Sequence, residues 1–261
     1  MNALLKVENA TMRFGGLVAL NDISFSVGRG EVLAVIGPNG AGKSTLFNVV
    51  TGVYRPTSGR VRFDGSDITG HPAHDVVARG VGRTFQTSRL FSDLSVLDNV
   101  IIGMHTRTGT GVLGALFLPG ASRREMAACV EKAEALLKAG SGDLFEQRYR
   151  LAGTLAQADR RRLEIARALA SEPKLLLLDE PSVGMDEIET DALIADIARL
   201  KRERADLSVI LIEHDMRVVE AFPHQVICID YGSKIAEGDF AAVKADPRVQ
   251  EAYLGKAAVH A

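Results

Sequence analysis

The stretch Val32–Thr45 reads VLAVIGPNGAGKST: an apolar run, a glycine-rich loop and the opening of a helix. Gly37, Gly42, Lys43 and Ser44 satisfy the spacing G-x-x-x-x-G-K-[ST], in the strand–loop–helix setting that gives this spacing a physical meaning. Glycines let the backbone turn tightly and point N–H groups at an anion, and the positive end of the following helix faces the same point. Gly37, Pro38, Asn39, Gly40, Ala41, Gly42, Lys43, Ser44 and Thr45 are therefore expected to cradle phosphates. Lys43 is expected to reach the β- and γ-phosphates of a nucleotide, and the Ser44 hydroxyl to ligate Mg²⁺. Most other chemistry-bearing residues are read as parts of the site that this loop begins.

Bulk properties narrow the classes. With 261 residues, 46% hydrophobic and 25% charged, the chain is long enough for one large α/β domain, or a domain with a subdomain, around an ample core. Its 31 basic and 33 acidic residues leave a charge of −2, which gives no global argument for a nucleic-acid partner. Cys129 and Cys228 lie far apart without metal-ligand spacing and suit a reducing compartment. The start MNALLKVENA lacks a long apolar segment, so no signal peptide is expected. No apolar run approaches the roughly 18 residues of a spanning helix. A role at a membrane would need another subunit to hold the chain there.

Along the chain, residues 4–36 read as short strands, with Ile23, Phe25 and Val27 alternating on one face and Gly28-Arg29-Gly30 as a turn. Phe14, followed by two glycines, is placed to stack on an adenine held by the loop, although a phenylalanine in a β-rich segment is more often core. Lys43–Thr51 is helical; Arg60–Phe63 is a strand with Asp64-Gly65 as a hairpin turn. Gly80–Gln86 is a strand that ends on a polar residue. From about Thr87 to Leu151 the texture changes. Ser95–His105 is expected to be helical, Thr108–Gly120 a flexible link, and Ser122–Lys138 a helix opened by an S-x-x-E capping box of Ser122 and Glu125, with Met126, Val130, Ala133 and Leu137 on its apolar face. Arg160–Ser171 is a further helix, stopped by Pro173. Lys174–Leu178 and Leu207–Ile212 are buried strands on either side of the helix Glu187–Leu200. Val226–Ile229 and Lys234–Ala236 are the last strands, and Asp246–Leu254 is a short helix. Buried strands alternating with helices predict an α/β fold with a parallel sheet, to which the N-terminal strands add an antiparallel part.

Four strand ends carry polar chemistry: Gly37–Ser44, Gln86, Asp179-Glu180 and His214. Ligands of open α/β sheets bind beyond the carboxyl ends of the strands, so these are expected to converge. Asp179, after four leucines, suits a carboxylate that holds Mg²⁺ directly or through another ligand. Glu180 suits the base that activates an attacking water, His214 a γ-phosphate sensor or positioner of that water, and Gln86 an amide near the metal or the water. Each alone has a bland reading as a solvated strand end or loop residue; beside the phosphate loop the set does not.

The chain resembles an ATP-binding-cassette (ABC) ATPase over essentially its whole length. The resemblance rests on the order of Phe14, GPNGAGKST (Gly37–Thr45), Gln86, RRLEIARALA (Arg161–Ala170), LLLLDEP (Leu175–Pro181), SVGMD (Ser182–Asp186) and IEHDM (Ile212–Met216). More narrowly, GRTFQTSRLF (Gly82–Phe91), LSVLDNV (Leu94–Val100) and the tail Asp230–Gly255 resemble ATPase subunits of branched-chain amino-acid importers. The resemblance implies a P-loop fold with a mixed-sheet core (residues 1–86 and 172–261), an antiparallel β subdomain, and an inserted helical subdomain (residues 87–171) that receives a coupling helix from a permease. It implies ATP and Mg²⁺ as ligands, hydrolysis coupled to uptake of branched-chain or related hydrophobic amino acids, and peripheral attachment at the cytoplasmic side of the inner membrane. The partners it implies are a second ATPase subunit, two transmembrane permease subunits and, indirectly, a substrate-binding protein. Asp186 is then part of the loop that communicates across the ATPase dimer. Lipid or lipopolysaccharide export, and a catalytically impaired regulatory subunit, are the alternatives.

One motif departs from the family. Where it carries L-S-G-G-Q, this chain has Leu155, Ala156, Gln157, Ala158 and Asp159. In the family fold this signature covers the γ-phosphate bound by the partner subunit, and its serine hydroxyl and glycine N–H groups supply donors. Ala156 has no hydroxyl, Ala158 adds a methyl, and Asp159 brings a negative charge that Arg160–Arg162 would partly offset, unless Asp159 caps the helix. A heterodimer in which the partner's signature is intact is the favoured arrangement, a homodimer the other; a compensated, working variant is the rival to impairment.

Overall fold

The computed structural model describes residues 3–86, 89–107, 119–140, 143–222 and 224–254. Strands β1 (Leu5–Phe14) and β2 (Leu17–Val27) pair antiparallel, with Phe14 opposite Leu17 across the Gly15-Gly16 turn. They are ten and eleven residues long rather than the short strands expected. Register shifts between Val7 and Arg13 bend β1, so that one strand pairs along its length with β2 and also with β4. Strand β3 (Val32–Ile36) leads through the glycine loop into helix α1 (Lys43–Val50). Strands β4 (Ser58–Phe63) and β5 (Ser66–Asp67) are joined by Asp64 and Gly65, whose φ values of 50° and 79° fit the two-residue hairpin turn read from the sequence. The antiparallel sheet runs in the order β2-β1-β4-β5.

Helix α2 (Ala73–Ala78) precedes β6 (Val81–Arg83), and helices α3 (Val96–Gly103), α4 (Pro119–Ala139) and α5 (Gln157–Leu169) follow. Strand β7 (Leu175–Asp179), helix α6 (Glu187–Glu203) and strand β8 (Ser208–Ile212) complete the buried centre. Helix α7 (Met216–Ala221), the hairpin β9 (Gln225–Asp230) and β10 (Ser233–Gly238), then α8 (Phe240–Ala245) and α9 (Pro247–Leu254) end the described chain. The second sheet has the order β10-β9-β3-β8-β7-β6; β9, β3, β8, β7 and β6 are parallel and β10 is antiparallel at the edge.

Every residue of β3, β7 and β8 is buried, because both faces of this sheet are covered. Alternation decides which face each side chain serves. Leu33, Val35, Leu175, Leu177, Ile210 and Ile212 pack with α1 and the antiparallel sheet. Val32, Leu176, Leu178, Val209 and Leu211 pack instead against Leu193 and Ile197 of α6. Each buried leucine contributes about 1.5–3 kcal/mol relative to exposure. A separate apolar cluster is drawn wholly from residues between Val96 and Ala170, with Val100, Ala133, Leu137 and Leu163 at its centre.

Several helix boundaries differ from expectation. Helix α4 begins at Pro119, and a proline suits the first helical position because its missing N–H has no partner there anyway. Ser122 therefore lies inside the helix, and the expected capping box with Glu125 is not the helix start. The apolar contacts of α4 start a turn later than read: Cys129, Ala133 and Leu137 are buried, while Met126 is 54% exposed. Helix α5 starts at Gln157, three residues before the arginine triplet, with Ala156 as N-cap and no side-chain cap. In α3 the capping box is formed by Ser95 and Asp98. Helices α2, α7 and α8 were not anticipated; each has six residues, with too few buried positions to show a helical period. Of the expected link Thr108–Gly120, Pro119 and Gly120 are instead the first residues of α4, and residues 108–118, together with Thr87, Ser88 and Gly255, lie outside the described residues. Among the described residues no helix is long and apolar enough to cross a membrane.

Candidate nucleotide site

The loop after β3 is held from three sides. Gly37 has φ +147°, and a Cβ there would stand 2.0 Å from the Ile229 carbonyl oxygen of β9. Gly42 has φ +109°, and a Cβ there would stand 2.5 Å from the Ala19 carbonyl oxygen of β2. These two positions admit only glycine for both reasons, conformation and space. The Gly232 N–H, from the β9–β10 turn, donates to the Ala41 carbonyl at 2.9 Å. Gly42 is also the N-cap of α1; it supplies no side-chain acceptor, and the first turn carries no acidic residue. Neither the N-cap nor the first turn of α1 thus supplies an anion to its leading N–H groups, as suits a phosphate site.

The loop floors a cavity of about 530 Å³ whose walls include Phe14, Leu17–Ala19, Gln86, Glu180 and the Tyr231-Gly232 turn. Phe14 is 42% exposed in that wall and meets Tyr54 in a T-shaped pair, ring centroids 5.3 Å apart, so part of its ring is open to a flat ligand. Lys43 is buried; its ammonium donates to the Gly37 carbonyl at 2.6 Å and the Pro38 carbonyl at 2.9 Å. Burial pushes its pKa below the ordinary lysine value, and the charges of Glu180 and Asp179 oppose that shift. Ser44 is exposed.

Glu180 follows β7 with φ +47°, an uncommon conformation for a residue with a side chain. Its Oε2 accepts from Gln86 Nε2 at 2.7 Å, which brings together two of the strand ends read from the sequence. Asp179 is 2% exposed. Its Oδ2 takes the Arg83 guanidinium at 2.9 Å, while Oδ1 is buried with no hydrogen-bond partner. Burial raises the Asp179 pKa above the usual carboxylate value, and Arg83 opposes the rise. His214 sits at the end of β8 but outside the cavity wall; its ring is half-exposed.

Residues not picked out by sequence reasoning hold this arrangement. Arg83 also donates to Asn48 Oδ1 at 2.7 Å and Thr51 Oγ1 at 3.1 Å, tying α1 to the end of β7. Arg161 is 4% exposed and donates to the carbonyls of Phe85 at 2.9 Å, Glu180 at 3.3 Å and Gln86 at 3.4 Å, so one guanidinium spans both loops that carry Gln86 and Glu180. Glu213 is fully buried; Oε1 accepts from the Ser182 N–H at 2.9 Å and Oε2 from the His214 N–H at 3.0 Å, which fixes the loops after β7 and β8 relative to each other. A charged residue closing an otherwise apolar strand was the available signal for Arg83 and Glu213. Asp186 caps α6 in a capping box with Glu189.

The stretch Leu155–Asp159 forms the start of α5. Ala156 and Gln157 are exposed, but Ala158 is only 6% exposed, so its methyl packs inward. Asp159 is the third helical residue and not the cap. It pairs with Arg162 at 3.2 Å and accepts from Gln147 Nε2 at 3.3 Å. Arg160 turns to the Leu155 and Gly153 carbonyls and Arg161 to the Gln86–Glu180 loops; of the three arginines it is Arg162 that pairs with Asp159, and its guanidinium is shared with Asp196 at 3.1 Å.

A metal here would need ligands from its substrate. Among the described residues no group of three or more His, Cys, Asp or Glu could hold an ion by itself. Ser44, exposed in the cavity wall, and Asp179, which does not line the cavity but directly precedes Glu180 and keeps Oδ1 without a partner among the described residues, are donors of the kind that fits Mg²⁺, commonly bound by one or two protein oxygens plus phosphates and water.

The comparisons with known proteins agree with this geometry. The ABC transporter family profile matches residues 20–183, and a profile described as branched-chain amino acid ATP-binding cassette transporter matches residues 233–259. The chain is 42% identical over 254 residues to the high-affinity branched-chain amino acid transport ATP-binding protein BraF of Pseudomonas aeruginosa, covering 97% of this chain and 98% of that protein. It is 37% identical, with the same coverage, to the corresponding protein LivG of Escherichia coli. In structure it is similar to a nucleotide-free ATP-binding cassette from an ABC transporter, with TM-score 0.84 and 32% identity over 98% of this chain and all of the other. A second cassette, in its ADP conformation, gives TM-score 0.82 and 33% identity over 98% of this chain and all of the other. With a phosphate loop, a strand-end Asp-Glu pair and nearly full-length likeness all in agreement, the chain belongs to the ABC transporter family, as one of its nucleotide-binding ATPases.

Proposed function

We propose that the chain is the ATP-hydrolysing subunit of an importer of branched-chain or related hydrophobic amino acids. The observation that carries the hydrolytic part is Glu180, set beyond β7 in the wall of the cavity that the phosphate loop floors, with one carboxylate oxygen hydrogen-bonded by Gln86. The cargo class is supported by the tail profile and by the names of the full-length relatives, which favour the importer over lipid export.

In this reading Phe14 stacks on the base, the loop Gly37–Thr45 binds the phosphates through the residues that line the cavity, Asn39–Thr45, and Lys43 turns its ammonium from loop carbonyls to the β- and γ-phosphates. Glu180 takes the proton of the attacking water, Gln86 steadies that carboxylate, and His214, anchored through its N–H to Glu213, contacts the γ-phosphate. Ser44 and Asp179, with Gln86 nearby, would hold Mg²⁺, which when bound neutralises charge on the phosphates. Residues 87–171 act as the helical subdomain that meets a permease. Two permease subunits hold the chain peripherally at the cytoplasmic face of the membrane, and a second ATPase subunit closes over the site. Co-purification of the full chain with membrane subunits, and ATP turnover that rises when a second ATPase subunit is added, is the expected result. Full turnover by the chain alone would remove the need for the second subunit.

The lid that this chain offers in return lacks one donor. The methyl of Ala158 is packed inward and Asp159 is engaged by Arg162, which it shares with Asp196, and by Gln147, so the missing hydroxyl at Ala156 is the deficit that a single substitution can test. Ala156→Ser, alone or with Ala158→Gly, is expected to raise turnover of the assembled complex about three- to tenfold, the effect of roughly one hydrogen bond. No gain would mean that the substitutions are already compensated.

A further inference from the structure

Tyr253 reaches the phosphate loop from the far end of the chain. Its hydroxyl accepts the Gly37 N–H at 2.8 Å, across 216 positions of sequence. Gly37 is the first residue of the loop, and its peptide groups have two external partners: the N–H meets Tyr253, and the carbonyl receives the Lys43 ammonium at 2.6 Å. Tyr253, Gly37 and Lys43 therefore form a hydrogen-bonded chain from α9 to the cation at the cavity floor. Gly37 and Pro38 do not line that cavity, whose loop residues are Asn39–Thr45, so the bond to Tyr253 is made where the loop leaves β3, ahead of the residues that face the cavity. A second cavity, about 680 Å³, lies between Pro38–Ala41 and Arg248, Glu251 and Ala252, so the loop is not closely packed against that part of α9.

We infer that Tyr253 is a positioning residue: by accepting the Gly37 N–H it holds the start of the phosphate loop, and through Gly37 the Lys43 ammonium, in the arrangement that receives nucleotide. The inference rests on the nucleotide reading of the site and adds to it a role for the C-terminal helix. The phenol is suited to the task. Burial pushes its pKa up to about 12, so the hydroxyl stays neutral and keeps the same hydrogen-bonding character throughout the working pH range. The ring fixes the distance of the hydroxyl from α9.

The test is nucleotide binding by the full chain, read with a fluorescent ATP analogue in magnesium buffer, beside thermal melting and the amide signal of Gly37. Tyr253→Phe removes the hydroxyl and keeps the ring. It is expected to weaken nucleotide binding about three- to tenfold, to shift the Gly37 amide resonance and speed its exchange, and to leave the melting temperature of the nucleotide-free chain within about 2 °C. Tyr253→Ala should weaken binding at least as much. Unchanged affinity in Tyr253→Phe overturns the inference, as does a loss confined to Tyr253→Ala and accompanied by a lower melting temperature, which would make the residue a packing anchor only. If the unaltered chain binds no ATP, the nucleotide reading and this inference fall together; if it binds and Tyr253→Phe binds equally well, this inference alone falls.

Discussion

Glu180→Gln is expected to bind ATP within about twofold of the unaltered chain and to lower turnover of the assembled complex by about 100-fold or more, the lower end of what a positioned general base contributes. The substitution is nearly isosteric and removes one property, the ability to take a proton. Its amide oxygen can still accept from Gln86 Nε2, which in the structure donates to Glu180 Oε2 at 2.7 Å. The backbone of residue 180 is held independently of the side chain: its N–H donates to the Ile212 carbonyl at 3.0 Å and its carbonyl accepts from Arg161 at 3.3 Å. These contacts keep the φ +47° conformation that sets the side chain beyond β7. A loss in turnover without a loss in binding would then report the chemistry and not the scaffold. Single-turnover hydrolysis on the assembled complex separates the two. A turnover within about threefold of normal would remove Glu180 from the role of base and pass it to another group, His214 being the other strand-end candidate.

How much of this was legible in the sequence depends on the range of the interaction. The glycine loop was legible because its chemistry is local: Gly37 and Gly42 take conformations that a side chain would not tolerate, and Lys43 and Ser44 follow at once on α1. Strands β3, β7 and β8 were legible because burial on both faces leaves unbroken apolar runs. Convergence of Gln86 on Glu180 followed from strand polarity alone, since parallel strands present their carboxyl ends on one side. Helix starts were less legible. The Ser122–Glu125 pattern was consistent with a cap, but Pro119 already starts α4; the arginine triplet was an inviting start for α5, yet the helix begins at Gln157, and Arg160 and Arg161 reach to carbonyls while Arg162 pairs with carboxylates. Long-range partners left almost no trace. Arg83 and Asp179 are 96 positions apart and meet because β6 and β7 are neighbours, with Arg83 in register with Leu177. Within Glu213-His214-Asp215 the sequence could not say which residue is buried. The structure shows Glu213 buried beneath the loops, while His214 is half-exposed and Asp215 caps α7.

Arg83→Ala is expected to destabilise the nucleotide-free chain by about 3–5 kcal/mol, because it strands a buried carboxylate. Side-chain exposure in this pair is 8% for Arg83 and 3% for Asp179, so the carboxylate is cut off from bulk solvent and loses its charged partner. Asp179 Oδ1 has no hydrogen bond even with Arg83 present, which leaves the guanidinium as the hydrogen-bonding partner of the carboxylate. The same substitution also removes bonds to Asn48 and Thr51 and the stacking of the guanidinium 4.8 Å from the Phe85 ring centroid, so the single variant does not isolate the charge. Adding Asp179→Asn does. If the stranded charge is the main penalty, Arg83→Ala/Asp179→Asn should melt several degrees above Arg83→Ala, at about 2–4 °C for each kcal/mol recovered. Equal melting temperatures for the two would assign the loss to Asn48, Thr51 and Phe85 instead. The pairing also bears on function. With Oδ2 on Arg83, Asp179 keeps one oxygen oriented and leaves the other without a protein partner, which is the state a carboxylate needs if it is to meet a phosphate-bound cation. Arg83→Ala should for that reason weaken magnesium-dependent nucleotide binding even at temperatures where the variant remains folded, and binding measured well below its melting point separates that effect from the loss of stability.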